Sequence, residues 1–162
     1  MKYLVLLFLS LETFGEVRNK LHTQEYLYDF SVSGGASSTT GIELSAISGK
    51  EDLPLGAIVV DVHYKVLTAL TSSGNASWTA GFVGDSDAYI DDQNKDVHGV
   101  DNYVGSCATA LGAACWDDTN DNNIPLLADS ADETGFVVAF TTHPLTAGKI
   151  LFWVDYYMPT LD

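Results

Sequence analysis

Two runs of alternating apolar and polar residues lie on either side of a short turn in the first half of the chain. The first run extends from Val59 to Leu70, the turn is Ser-Ser-Gly-Asn at 72–75, and the second run extends from Ala76 to Val83. A period of two places every second side chain on one face of an extended backbone, so both runs predict β-strands. The predicted inward faces are Ile58, Val60, Val62, Tyr64, Val66, Thr68 and Leu70 in the first, and Ala76, Trp78, Ala80 and Phe82 in the second.

Three further segments alternate in the same way, and turn residues separate all of them. Many short strands with little helix are typical of an all-β fold, and we predict an antiparallel β-sandwich of the jelly-roll type. Residues 25–162 would form one sandwich domain, with an acidic, loop-rich insertion at 84–134 that could hold a short helix around 106–115. The predicted inward faces are Tyr26, Tyr28, Phe30 and Val32, then Phe136, Val138 and Phe140, and finally Ile150, Phe152, Val154 and Tyr156.

The charge balance excludes one class of partner. The 162 residues include 22 acidic and 7 basic side chains, which gives a net charge of −15. A field of that sign repels phosphate backbones, so the chain is not expected to bind nucleic acid. Hydrophobic residues make up 46% of the chain, which is enough for one domain with a substantial core. The acidic residues of 85–121 are expected to face solvent.

The N-terminal segment 1–24 is unusually apolar. Its run from Tyr3 to Leu11 is too short to span a membrane. Three interpretations remain open: an extra core element, an arm that anchors on a partner, or a signal peptide, whose lysine-then-apolar profile it shares. As an arm it would contact a partner through the side chains at helical spacing, which are Leu4, Leu7, Phe8, Leu11 and Phe14.

Two features of the acidic middle could stabilise it. Cys107 and Cys115 are far enough apart in sequence to close a disulfide loop, although two cysteines alone do not establish one. The oxygen-bearing residues Asp118, Asn120, Asn122 and Asp129 follow the spacing of a calcium-binding loop. Asn123 stands where such a loop carries glycine, so an Asx-rich loop held by its own side chains is the alternative. Calcium is the one cofactor that the sequence raises.

Catalytic machinery is not predicted. His22, His63, His98 and His143 lie in four unrelated settings without a nucleophile motif nearby. The paired carboxylates Asp91-Asp92 and Asp117-Asp118 fall in the predicted loop region, where nothing would fix their separation. We therefore predict a non-enzymatic protein.

Four motifs of the chain are distinctive. They are Tyr-Asp-Phe-x-Val-x-Gly-Gly-Ala at 28–36, Leu-Pro-x-Gly-Ala-Ile at 53–58, Thr-Ala-Leu-Thr-Ser-x-Gly at 68–74 and Leu-Thr-Ala-Gly-Lys-x-x-x-x-Val-x-Tyr at 145–156. Together they resemble a group of small structural proteins of tailed-bacteriophage virions. The resemblance covers about 24–83 and 135–158, and the apolar N-terminus and the acidic insertion depart from it. It implies a β-sandwich module on the particle, such as a capsid decoration or cement protein that forms trimers.

On this resemblance we expect a head decoration or cement protein that stabilises the capsid lattice. It would be assembled in the host cytoplasm, lie on the capsid surface as a homotrimer, and bind the major capsid protein or other virion subunits. The expected subunit contacts on the last strand are Trp153, Tyr156 and Tyr157. An adhesion or carbohydrate-binding module of a fibre or spike, assisted by calcium, is the alternative and would require exposed aromatic rings. A secreted bacterial β-sandwich protein is a third possibility.

Overall fold

A computed structural model of the chain describes residues 20–47, 52–96, 99–101, 103–104, 126–127 and 134–158. These residues form nine strands and one short helix. The elements are β1 (Leu21–Asp29), α1 (Phe30–Ser33), β2 (Ser38–Leu44), β3 (Ile58–Ser72), β4 (Ser77–Phe82), β5 (Asp85–Asn94), β6 (Tyr103–Val104), β7 (Leu126–Leu127), β8 (Phe136–Thr141) and β9 (Leu145–Tyr157).

The strands form two antiparallel sheets. One sheet has the order β1-β9-β3-β6, with β7 also paired to β3, and the other has the order β2-β8-β4-β5. The pairing is nested, because β1 pairs with β9, β2 with β8, β3 with β6 and β7, and β4 with β5. A long hairpin rolled into two sheets in this way is a jelly roll, so the predicted fold is confirmed.

The core lies between the two sheets and is rich in aromatic rings. Phe136 of β8 contacts Tyr26 and Phe152 of the opposite sheet, with ring centroids 4.7 and 5.1 Å apart. Trp78 of β4 meets Tyr64 of β3 edge-on at 4.8 Å. All of these side chains are at most 2% exposed. Burying each stabilises the fold by roughly 1.5–3 kcal/mol, and this contact between layers holds the sheets face to face.

The inward face of β3 differs from the predicted one. Val59 pairs with Tyr156 and Asp61 pairs with Asp155. The two partners are adjacent on β9, so Val60 is an extra, unpaired residue of β3. This bulge puts Val59 in the core and leaves Ile58 and Val60 only partly buried. A second irregularity between Val66 and Thr68 leaves Thr68 exposed. The prediction was right for Val62, Tyr64, Val66 and Leu70.

The predicted first strand ends earlier than its alternation indicates. Tyr26 and Tyr28 are buried, but the chain then enters α1, and Val32 is 83% exposed. The Asp29 side chain accepts a hydrogen bond from the Ser31 backbone N–H and caps this turn. Gly34 ends it with φ at +71°, a conformation that favours glycine. The helix thus replaces the predicted strand at Phe30 and Val32 and leads the chain towards the second sheet.

Part of the predicted acidic insertion is regular structure. Residues 85–94 form β5 at the edge of the second sheet, and this strand includes Asp91 and Asp92. Tyr89 and Ile90 are adjacent and both buried, and the pairing of β5 with β4 is irregular, so no clean alternation marks this strand in the sequence. A charged edge strand of this kind resists pairing with other chains. Gly81 permits the tight return from β4, since a Cβ there would overlap the Asp85 carbonyl oxygen.

Several predicted features lie outside the described residues and stay predictions. They are the helix around 106–115, the cysteine pair Cys107 and Cys115, the calcium loop of Asp118, Asn120, Asn122 and Asp129, and the arm residues Leu4, Leu7, Phe8, Leu11 and Phe14.

Candidate functional site on the outer face of the five-stranded sheet

The face of the five-stranded sheet that points away from the core carries polar and aromatic side chains in rows. β9 lies between β1 and β3, so its outward residues occupy the middle of this outer face. One row across the sheet is Glu25, Trp153 and His63, and the adjacent row is Thr23, Asp155 and Asp61. Because outward residues alternate with core residues on each strand, the core packing fixes the positions of both rows.

Trp153 is held from both sides. Its Nε1 donates a hydrogen bond to Glu25 Oε1 at 2.9 Å, and its ring stacks on the His63 imidazole with centroids 5.3 Å apart and planes 23° from parallel. These two contacts fix the orientation of the indole on the outer face. The predicted contact residue is therefore a partly buried, ordered ring and not a freely projecting side chain.

Beside this ring, Asp61, His63 and Asp155 bring their polar atoms together. His63 Nδ1 lies 3.8 Å from Asp61 Oδ2 and 4.0 Å from Asp155 Oδ2. One donor atom from each residue lies within 4.8 Å of the others. Their side chains are between 14% and 23% exposed, so the cluster is partly shielded from solvent. Two carboxylates and an imidazole can share a cation.

The lysines of this face are engaged with other carboxylates. Lys65 Nζ lies 2.9 Å from Asp101 Oδ1, and Lys149 Nζ lies 2.6 Å from Asp29 Oδ2. Hydrogen bonds from Lys149 and then from Ser31 lower the pKa of Asp29 to about 2. These contacts direct both ammonium groups towards carboxylates other than Asp61 and Asp155.

The two C-terminal tyrosines differ in what they can offer a partner. Tyr156 is 7% exposed, belongs to the core, and stacks on His22 with centroids 5.3 Å apart. Burial raises its pKa above the ordinary value. Tyr157 points to the outer face, is partly buried, and lies between Leu21 and Ile58 in one row. Tyr157 therefore presents more surface than Tyr156 for the predicted subunit contact.

The tryptophans do not form a shared sugar-binding platform in the described part of the chain. Trp78 is 2% exposed within the core, as its alternation indicated, whereas Trp153 lies on the opposite face of the five-stranded sheet. Trp116 lies outside the described residues. The Trp78 ring therefore packs in the core and the Trp153 ring faces outward, so these two rings do not offer one surface for stacking on a carbohydrate.

Sequence reasoning missed the cluster of Asp61, His63 and Asp155. Asp61 and His63 are two residues apart on one strand, a spacing that puts both on one face. That signal was visible, but Asp155 joins them only through the pairing of β3 with β9, which brings together distant parts of the chain.

Across the described ranges, no helix combines the length and apolar character needed to span a bilayer.

No protein-family model and no curated protein matches this sequence. Two solved structures match. A chain of the cyanophage Pam1 capsid asymmetric unit aligns with a TM-score of 0.57 and 15% identity, over 86% of this chain and 85% of that one. A chain of the acid-stable capsid of Helicobacter pylori bacteriophage KHP30 aligns with a TM-score of 0.47 and 14% identity, over 86% and 89%. At these identities the comparison with Pam1 shows a shared fold.

Proposed function

We propose that the chain is a non-enzymatic structural protein of a bacteriophage virion, bound to the head as a decoration or cement protein. The observation that carries the proposal is the fold match to a chain of the Pam1 capsid, which extends over 86% of this chain and 85% of the other. The match includes most of both chains, so the similarity extends over most of the fold.

The charge of the chain favours the outside of the head. A net charge of −15 would repel a packaged genome, because both carry the same sign. Acidic residues also point outward from the five-stranded sheet, including Glu25, Asp61 and Asp155. A protein with this surface is better suited to the solvent-facing side of a shell than to the side that lines the genome.

The end of the five-stranded sheet supports an attachment role for the N-terminal segment. β1 begins at Leu21, which is 47% exposed and pairs with Tyr157, and Tyr157 in turn pairs with Ile58. Leu55, 64% exposed, precedes Ile58 by three residues. The part of the segment that precedes β1 thus leads into a partly apolar end of the sheet, where it would add contact area to a subunit or capsid interface.

The proposed mechanism is mechanical. Three copies assemble into a trimer and bind at junctions between shell subunits, where apolar and strand-edge contacts add binding free energy to the lattice. Stable occupancy needs an interface of about 1,000 Å² or more. Arm residues within 1–24, together with Trp153 and Tyr157, are the proposed contacts.

The test uses virions of the phage whose genome encodes the chain, with and without the gene. We expect mass spectrometry to find the chain in purified heads, and heads that lack it to release DNA at a lower temperature. Adding back purified protein should restore the release temperature, and a variant without residues 1–20, which leaves β1 intact, should not. A chain found only in tails would overturn the decoration role, and a chain absent from virions would overturn the whole proposal.

The oligomeric state is tested separately by sedimentation of the purified chain. We expect a trimer. If a variant without residues 1–20, which keeps all of β1, is also trimeric, the segment anchors on the capsid, and if that variant is monomeric, the segment completes the subunit interface. A monomeric full-length chain would contradict the trimer.

A further inference from the structure

The cluster of Asp61, His63 and Asp155 on the outer face has a geometry that a bound cation would explain. Asp61 and Asp155 are direct cross-strand partners on β3 and β9. Opposed like charges destabilise a strand pair, and this pair lies in a chain with 22 acidic and 7 basic residues. The lysines of the same face contact other carboxylates. The pair therefore lacks compensation from those lysines, and only His63 stands between the two carboxylates.

One carboxylate oxygen of the cluster is buried without a hydrogen-bond donor among the described residues. Asp61 Oδ1 is inaccessible to solvent and accepts no hydrogen bond from the described part of the chain. A buried carboxylate oxygen without a partner is unfavourable, because it has lost its water without gaining a donor. A metal ion bound by the Asp61 carboxylate would replace that lost solvation.

Asp155 is already oriented for such a role. Thr23 Oγ1 donates a hydrogen bond to Asp155 Oδ1, while the other oxygen, Oδ2, faces His63. A hydroxyl that holds the non-ligating oxygen of a carboxylate is the usual arrangement around a protein metal site. On the other side, the Trp153 ring stacks on His63 and restricts rotation of the imidazole.

The donor set selects the kind of ion. Imidazole nitrogen together with carboxylate oxygen suits zinc and neighbouring divalent transition metals, whereas calcium and magnesium prefer all-oxygen sites. Zinc binds these ligands at about 2.0–2.2 Å, so two ligands of a tetrahedral site lie roughly 3.4 Å apart. The observed separations of 3.8 and 4.0 Å need to shorten by about half an ångström. Side-chain rotation provides that movement once a cation offsets the repulsion between the carboxylates.

We propose that Asp61, His63 and Asp155 form a binding site for a divalent transition metal ion of the zinc class. The three protein ligands neutralise the charge of the ion and leave one position of a tetrahedral site open to water or to a ligand from another subunit. The ion would join β3 to β9, and the proposal does not depend on where the protein sits in a virion.

The test uses the full-length chain, stripped of metal with a chelator, and follows thermal unfolding as Zn²⁺ is added. A ligand that binds only the folded chain raises the unfolding midpoint until the site is saturated. We expect that rise for the parent chain, and a weakening of the apparent affinity by about tenfold or more in His63→Gln and in Thr23→Val. The matched control is His143→Gln, which removes an exposed histidine from a turn and should leave the response unchanged.

Asp155→Asn separates a lost ligand from a lost fold. It removes one of two opposed carboxylates, so without metal the variant should be at least as stable as the parent, yet it should not respond to Zn²⁺. Direct evidence comes from adding Co²⁺ in place of Zn²⁺, because the visible absorption of Co²⁺ indicates binding at a site with few ligands. We expect this absorption for the parent chain and its loss in His63→Gln. The proposal is overturned if Zn²⁺ does not shift the parent, if His63→Gln keeps the full response, or if Mg²⁺ at the same concentration produces the same shift.

Discussion

Tyr28 and Gly34 are joined by a hydrogen bond that closes the turn between the two sheets. The Tyr28 hydroxyl donates to the Gly34 carbonyl oxygen at 2.7 Å, and the Tyr28 ring is fully buried against Phe140, with centroids 4.8 Å apart. The bond spans α1, the short helix that follows β1. Tyr28 therefore packs between the sheets and also fixes the end of the connection that leads to β2.

Tyr28→Phe tests this bond without changing the packing of the ring. The variant leaves the Gly34 carbonyl without its hydroxyl donor in a part-buried position, and we expect a loss of about 1–2 kcal/mol in the free energy of unfolding. Denaturant unfolding measures it. Tyr157→Phe, at a partly exposed site on the outer face, should change stability by less than about 0.5 kcal/mol. Equal effects of the two variants would contradict a specific role for the bond.

Phe136 lies in the core between the two sheets. Its ring contacts Tyr26 and Phe152 of the opposite sheet and Tyr89 of its own. Phe136→Ala would open a cavity between the layers and should cost about 3–5 kcal/mol of unfolding free energy. Val32→Ala, at a position 83% exposed on α1, is the matched control and should have little effect. A loss below about 1 kcal/mol for Phe136→Ala would mean that the layers do not pack as described.

The sequence predicted the core face of a strand well where the alternation is not interrupted. In β9, burial alternates strictly from Ile150 to Tyr156, and the predicted core face was correct. In β3 it was correct only in part, since Val59 and Val60 are both apolar and only the bulge opposite β9 decides which is buried. Phe30 and Val32 continue the alternation of β1, yet the cap at Asp29 starts a helix there. A local hydrogen bond, from the Ser31 backbone N–H to the Asp29 side chain, therefore accompanies the change from strand to helix.

The candidate site was harder to predict for a related reason. Asp61 and His63 share a strand, but Asp155 and Thr23 reach them only through the neighbouring strands of the sheet. Periodicity specifies which face a residue occupies, and the register of pairing specifies which residues meet across strands. That register depends on the bulges in β3, which have no clear mark in the sequence.

Alkaline pH should destabilise the fold through its buried tyrosines. Burial raises the pKa of Tyr26, Tyr28 and Tyr64 above the ordinary value of 10.0. Below pH 10 their full contribution to stability is present, and it is lost as pH rises further, because the unfolded chain then releases protons that the folded chain retains. We expect these three phenols to ionise only as the circular dichroism of the fold disappears, and Tyr64→Phe to make stability fall less steeply. Tyrosinate absorbance that reached completion in a still folded chain would contradict this.

Acid pH should weaken the contact between Asp29 and Lys149. The folded pKa of Asp29 is about 2 against an ordinary value of 3.8, so its contribution to stability is present above about pH 4 and is lost as pH falls towards 2. NMR titration of the Asp29 carboxyl measures this pKa directly. Lys149→Met should raise it towards the ordinary value, because the largest cause of the lowering is the hydrogen bond from that lysine. Lys95→Met removes a lysine that contacts Asp96 instead and should leave the Asp29 titration unchanged. If both variants shift the pKa of Asp29 equally, the general negative charge of the chain, and not the contact with Lys149, determines that pKa.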